Sequence, residues 1–306
     1  MKVLVATQKP FSAAAVKGIK EIIEAAGYEF SALEKYPEQA DLVKAVADVD
    51  ALIIRSDKVT AEVLEAAKNL KIVVRAGAGF DNVDLAAATA HNVVVMNTPG
   101  QNANAVAELA IAMMIYMSRT QFTPATGCEI MGKKLGVQAF GNVGRLVGKK
   151  AEALGMEVMA IDPFIPADKI RELGAEPADS LEHLYGSCDF VSIHIPATPE
   201  TIGSINYDLI TKMPKGACLV NTARKEVIDE AGLLKALEDR QDLKYVTDVA
   251  PDNYETLREK FGLRVFATPK KMGAQTAEAN LNAGLAAARQ IVDFFKTGNT
   301  RFQVNK

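Results

Sequence analysis

Short runs of apolar, largely β-branched residues recur through the whole sequence, with amphipathic stretches between them. Residues 2–6, 51–54, 72–74 and 93–96 read as strands, and 13–26, 61–68 and 83–90 as helices. A strand that is apolar without alternation has to be covered on both faces, the condition of a parallel sheet bridged by helices. This first series breaks at Asn97-Thr98-Pro99-Gly100, where proline and glycine interrupt the pattern. A long helix over 102–117 follows, then a turn-rich stretch over 118–132. A second series opens at Lys134, with strands over 135–138, 157–161, 190–195, 217–221, 245–249 and 265–267. A last helix, 277–296, has Thr276 as N-cap and stops at Gly298. The pattern predicts an α/β protein of two doubly wound parallel-sheet domains.

Length agrees: 306 residues hold two domains at roughly 100–200 residues each. With 49% apolar and 24% charged residues, disordered and fibrous classes are excluded. Net charge is −3 and no basic run exceeds a pair, so no nucleic-acid partner is expected. The longest apolar run, 109–117, is far short of the about 20 residues a membrane span needs. The N-terminus turns polar too soon for a signal peptide. A cytoplasmic protein is expected, with Cys128, Cys188 and Cys218 as free thiols. His91, His183 and His194 show no ligand spacing with them, so no metal site is expected.

Chemistry first shows at Ala139-Phe140-Gly141-Asn142-Val143-Gly144, between a strand and a helix. In the dinucleotide fingerprint G-x-G-x-x-G the second glycine lets a pyrophosphate approach backbone N–H groups at a helix N-terminus. The third lets helix and strand pack closely. Here the first glycine is replaced by Ala139, which weakens the match; the strand–turn–helix context supports it. Asp162 ends the next strand, where a carboxylate accepts from ribose hydroxyls and repels a 2′-phosphate. NAD is favoured over NADP, and Gly141, Asn142, Val143, Gly144 and Asp162 are its expected contacts.

Longer motifs carry a resemblance. Arg75-Ala76-Gly77-Ala78-Gly79-Phe80-Asp81-Asn82-Val83-Asp84, Val191-Ser192-Ile193-His194-Ile195-Pro196 with Thr198-Pro199-Glu200-Thr201, Asn221-Thr222-Ala223-Arg224, and Asp248 occur in that order. Over nearly its whole length the chain resembles the NAD-dependent D-2-hydroxyacid dehydrogenases, in a short form without a regulatory domain. The resemblance implies a Rossmann NAD domain, 98–271, inserted in a flavodoxin-like substrate-binding domain, 1–97 and 272–306. It implies an active site in the interdomain cleft, and a homodimer to which the long helix contributes while crossing between domains.

It also implies residue roles. His194, Pro196, Thr201, Thr222, Ala223 and Asp248 would contact the cofactor, with Asp248 on the nicotinamide amide. Arg224 would hold the substrate carboxylate and polarise its C2 oxygen. Backbone N–H groups of Ala76, Gly77 and Ala78 would complete that carboxylate site, and Arg55 and Ser56 would bind a phosphate. The implied reaction is hydride transfer between NAD and a D-2-hydroxy acid, 3-phosphoglycerate first, the oxidation that opens L-serine synthesis. Its rivals are reduction of glyoxylate, hydroxypyruvate or another 2-oxo acid, and a non-catalytic NAD sensor on the same fold.

Two departures matter. The family carries a histidine two residues before the Gly-Ala of its last catalytic loop; this chain reads Thr268-Pro269-Lys270-Lys271-Met272-Gly273-Ala274. Counting from Gly273 selects Lys271, and counting from Pro269 selects Lys270. The glutamate that the family pairs with that histidine is here Asn253. The two changes are physically consistent. An imidazole with a pKa of about 6.5 gains from a carboxylate, whereas a lysine near 10.4 needs lowering, which a carboxylate would oppose. Arg224 and a dry cleft would lower it. Lys271 is the expected acid/base, with a solvated loop lysine as the alternative. Help from Asp248 or Asp252 stays open, and Lys225, in place of the family's glycine, has no account.

Overall fold

A computed structural model describes residues 1–306. The chain forms two compact units: residues 1–102 with 275–306, and residues 103–274. The divisions fall a few residues beyond 97 and 271, the sequence-based boundaries.

The first unit holds β1 (Lys2–Thr7), β2 (Glu29–Glu34), β3 (Ala51–Ile54), β4 (Ile72–Arg75) and β5 (Val94–Asn97), in the order β2-β1-β3-β4-β5. All pairs are parallel. Successive residues of each inner strand enter opposite cores, so the runs show no polar alternation. Leu4, Leu52, Ile54 and Val73 pack on one face, and Val3, Val5, Ile53 and Val74 on the other. The second face is covered by the helices Ala13–Ala25 and Ala277–Thr297. Each fully buried leucine or isoleucine here contributes roughly 1.5–3 kcal/mol.

The second unit holds β6 (Lys134–Gln138), β7 (Glu157–Ile161), β8 (Glu176–Pro177), β9 (Phe190–Ile193), β10 (Cys218–Asn221), β11 (Lys244–Thr247) and β12 (Val265–Ala267). Their order is β12-β11-β10-β9-β6-β7-β8, again all parallel. The long helix, Ala103–Ser118, lies wholly in this unit and buries its small and methionine side chains against Leu135, Val137 and Val246. No helix is long and apolar enough to cross a membrane.

Strand order reverses direction between β1 and β3 in the first sheet and between β6 and β9 in the second. In open α/β sheets, ligands bind outside the carboxyl ends of strands at such switch points.

Two strands lie outside the sequence-based set, both at edges. In β2, Glu-Phe-Ser-Ala-Leu-Glu is largely exposed, and β8 is two residues long and contains a proline. An edge strand has one neighbour and tolerates polar residues and proline, so it lacks the apolar signal of the inner strands. The helix expected from residue 83 begins at Leu85, because Val83 pairs with Val59 and Asp84 caps the helix through the N–H of Ala87 at 2.9 Å.

Candidate active site

At the end of β6 the three fingerprint positions do three separate things. Ala139 has φ +72°, the left-handed conformation that a glycine adopts freely. Its N–H donates to Ile161 O (2.9 Å) and its carbonyl oxygen lies 2.2 Å from where a Cβ on Gly144 would sit. Gly144 is thus required by helix–strand contact. Gly141, at φ −75°, has neither reason: a Cβ there would meet nothing within 4 Å. The space it keeps open faces no protein atom, at the N-cap of the helix Asn142–Ala153, whose cap makes no side-chain hydrogen bond. Asn142 and Val143 open that helix. Asp162, one residue past β7, accepts from Phe140 N and Phe164 N, each at 2.8 Å and each on a different oxygen. A carboxylate has about four acceptor sites, so capacity remains for two ribose hydroxyls.

Beyond β9, His194 lies 2.9 Å from Ser192 Oγ through Nε2. Desolvation of its ring pushes the pKa down to about 3, so it is neutral throughout the physiological range. Thr201 holds its own loop together: its hydroxyl donates to Pro196 O (2.6 Å) and accepts from Thr198 N (2.7 Å). These bonds fix the shape of the 196–201 turn.

The end of β10 is shaped by Asn221, which is fully buried. Its Oδ1 accepts from Ala223 N and its Nδ2 donates to Arg224 O, both at 2.9 Å. The hydroxyl of Thr222 is buried with no partner. The Ala223 carbonyl accepts from Arg224 Nη1 at 2.9 Å and from Lys271 Nζ at 3.3 Å. Arg224 and Lys271, from loops distant in sequence, thus converge on one oxygen. Lys270 is exposed, and its carbonyl accepts from Thr268 Oγ1 (2.7 Å).

Asp248, 1% exposed, follows β11. Its Oδ2 accepts from Met272 N (3.1 Å) and Gly273 N (2.6 Å), while its Oδ1 is buried without a partner. Asp252 is bound to Lys225 Nζ at 2.5 Å, which accounts for Lys225: it ties the segment after Arg224 to the loop after β11. Asn253 donates from Nδ2 to Glu230 O at 3.3 Å, a bond that a glutamate at this position could not make. Glu230, unread in the sequence, accepts from the N–H groups of Asp252 and Asn253 through its carboxylate.

In the first unit the expected anion contacts are only partly open. Ala76 N–H continues the ladder to Ile54 O (2.8 Å), and Gly77 N–H donates to Arg75 O (2.9 Å). Of the three expected carboxylate donors, two are therefore engaged within the chain, and Ala78 carries the exposed one. Arg55 follows β3, beside the switch point. Its Nη1 donates to Lys9 O (2.9 Å) and Pro10 O (3.0 Å), its Nη2 to Asn280 Oδ1, and its guanidinium lies 5.2 Å from the Phe11 ring centre. Desolvation lowers its pKa. Nε and one Nη2 proton are left to meet an anion. Ser56 beside it is exposed. Arg75, not singled out from sequence, donates from Nε to Arg55 O at 2.9 Å, adding a second guanidinium to this loop. Asp57, also unread, is the buried acceptor that holds the loop, taking Gln8 N (2.7 Å) and the Tyr36 hydroxyl (2.8 Å). A single aspartate after a strand carries no sequence signal for that role.

The residues of the second unit fit a dinucleotide. Gly141 leaves room for a pyrophosphate, Asp162 can take ribose hydroxyls, and two buried oxygens, Asp248 Oδ1 and Thr222 Oγ1, lack partners that an amide-bearing ring could supply.

Residues 5–305 match the family model described as D-isomer specific 2-hydroxyacid dehydrogenase, catalytic domain. The chain belongs to that family. It is an NAD-dependent oxidoreductase. Among solved structures it resembles the NAD+-bound 3-phosphoglycerate dehydrogenase of Entamoeba histolytica, at 48% identity and a TM-score of 0.91, over 100% of this chain and 99% of that one. A hydroxypyruvate reductase of Thermotoga maritima is 38% identical over 86% of this chain and 90% of its own length. A D-3-phosphoglycerate dehydrogenase of Archaeoglobus fulgidus is 37% identical over 87% of this chain, which spans only 53% of that protein.

Proposed function

We propose that this protein interconverts 3-phosphoglycerate and 3-phosphohydroxypyruvate, the step that commits carbon to L-serine, with Lys271 as acid/base and Arg224 as the carboxylate-binding residue. The observation that supports this reading is the convergence of Lys271 Nζ and Arg224 Nη1 on the Ala223 carbonyl, which brings an amine beside a guanidinium at the end of β10. Bound NAD supplies or accepts the hydride. Lys271 takes the proton of the C2 hydroxyl during oxidation and returns it during reduction. Arg224 holds the carboxylate and polarises the C2 oxygen, and Ala78 N–H with the Ala76–Gly77 turn contributes to carboxylate binding. Arg55 and Ser56 contact the phosphate. Pro196, Thr201 and His194 line the cofactor's loop, and Thr222, Ala223 and Asp248 its nicotinamide end. The assignment includes a homodimer working in the cytoplasm, which sedimentation and fractionation test.

Reduction of an unphosphorylated 2-oxo acid is the second reading. The Thermotoga relative is named for it, and three Arg55 donors are already bound within the chain. NADH consumption with 3-phosphohydroxypyruvate, hydroxypyruvate, glyoxylate and 2-oxoglutarate separates the two. The phosphorylated acid should be strongly preferred, and Arg55→Ala should reduce its kcat/KM roughly ten- to a hundredfold while sparing hydroxypyruvate, the range for a lost bond to a charged group. Equal turnover of hydroxypyruvate by the parent enzyme would favour the second reading, and no turnover despite NADH binding would favour a sensor.

A further inference from the structure

Asp248 is more than a contact for the cofactor amide. We propose that it is a positioning residue for the acid/base, holding the Lys271 loop in register through the two amides that immediately follow Lys271. This rests on Lys271 as the acid/base and adds how that lysine is held.

The 268–274 loop is tied at its Lys271 side chain, through Nζ to Ala223 O (3.3 Å), and along its backbone. Thr268 N–H donates to Thr247 O (3.1 Å), and Thr268 Oγ1 turns back to Lys270 O (2.7 Å). Lys270, Lys271 and Met272 are exposed, so apolar packing does not set their register. The Asp248 carboxylate does: Oδ2 takes both Met272 N–H and Gly273 N–H. Bonds from backbone N–H to an ionised oxygen are roughly twice as strong as neutral ones. Gly273 is buried against the same group, since a Cβ there would lie 3.0 Å from Oδ2 and 3.2 Å from Val106 Cγ2.

Asp248 is itself tied to the arginine's loop. Its N–H donates to Asn221 O (3.3 Å), and Asn221 O also accepts from Thr247 Oγ1 (2.8 Å). The side chain of Asn221 fixes Ala223 and Arg224. A short chain of bonds thus links the strand end bearing Arg224 to the loop bearing Lys271, with Asp248 at its centre. The two oxygens of Asp248 divide the work, Oδ2 facing the loop and Oδ1 left for a donor from outside the chain. Occupancy of the amide pocket and registration of Lys271 therefore depend on one carboxylate.

A double-variant cycle with two readouts tests this. Amide hydrogen exchange of the peptide covering 268–274 is measured without cofactor in the parent, Asp248→Asn and Asp248→Ala proteins. The exchange should speed up at least tenfold in Asp248→Ala and a few-fold in Asp248→Asn, whose neutral oxygen still accepts; the conservative variant covers the case in which alanine fails to fold. Steady-state kinetics follow in parent and Lys271→Ala backgrounds. If Asp248 acts through Lys271, its substitution lowers kcat at least tenfold in the parent background and by a clearly smaller factor in Lys271→Ala, where only its part at the cofactor remains. The rise in KM for NADH should persist in both backgrounds. Unchanged exchange at 268–274, or kcat losses that multiply in the double variant, would overturn the proposal. A Lys271→Ala enzyme with parental kcat and pH profile would instead overturn Lys271 as the acid/base.

Discussion

Ala139 holds a left-handed turn at the position where the fingerprint asks for glycine. An L-residue in that conformation loses roughly 1–2 kcal/mol, and a glycine would recover it less the about 0.4–1 kcal/mol of extra freedom it has when unfolded. Ala139→Gly should therefore stabilise the second unit by about 0.5–1 kcal/mol in urea unfolding, with cofactor affinity little changed because the turn is already made. His194 gives a pH-dependent counterpart. Its folded pKa, about 3, lies below the unfolded value of about 6.5, so the unfolded chain binds the proton first. Stability is full above about pH 6.5 and drains as pH falls toward 3. Urea midpoints at pH 7, 5 and 4 should decline less steeply in His194→Gln, by up to about 1.4 kcal/mol per pH unit; parallel slopes would mean that the ring is not held neutral. At this scale the sequence is partly transparent. Gly141, Gly144 and Asp162 are readable because their spacing reflects local geometry. That the N–H groups of Ala76 and Gly77 are spent within the chain was not, since it depends on where the β3–β4 ladder ends.

Among elements, what could be read follows burial. Inner strands such as Ala51–Ile54, with every residue buried, announce themselves; the edge strands Glu29–Glu34 and Glu176–Pro177 do not, since a solvated edge makes no apolar demand. The free side of β5 is managed by the C-terminal segment, and this too is invisible in composition. Val304 N–H donates to Val95 O (2.9 Å), while Asn305 accepts from Val95 N (2.8 Å) and donates to Val93 O (2.9 Å). Asn305 is 7% exposed, so its loss leaves backbone groups buried and unpaired. Asn305→Ala should destabilise the first unit by roughly 1–3 kcal/mol in thermal or urea unfolding. Exposed Arg301→Ala should stay within about 0.5 kcal/mol, and equal effects of the two would remove the side-chain amide from the account of this edge.

Across the whole molecule, each unit is an open parallel sheet with a single switch point. In the first unit Arg55 and Ala78 lie past the ends of β3 and β4, and in the second the 139–144 turn, Arg224 and Asp248 lie past the ends of β6, β10 and β11. The proposed lysine acid/base carries its own pH response. A free lysine with a pKa of about 10.4 is neutral on the order of once in two thousand at pH 7, so oxidation through an unshifted lysine base would be slow at that pH and reduction through its acid form would not. The most direct test is the rate of 3-phosphoglycerate oxidation in single turnover between pH 7 and 10, in the parent and Lys271→Ala enzymes. A lysine base gives a rate rising about tenfold per pH unit at the lower end, lost in Lys271→Ala. A flat parental profile with chemistry rate-limiting, or an unchanged profile in Lys271→Ala, would contradict the assignment.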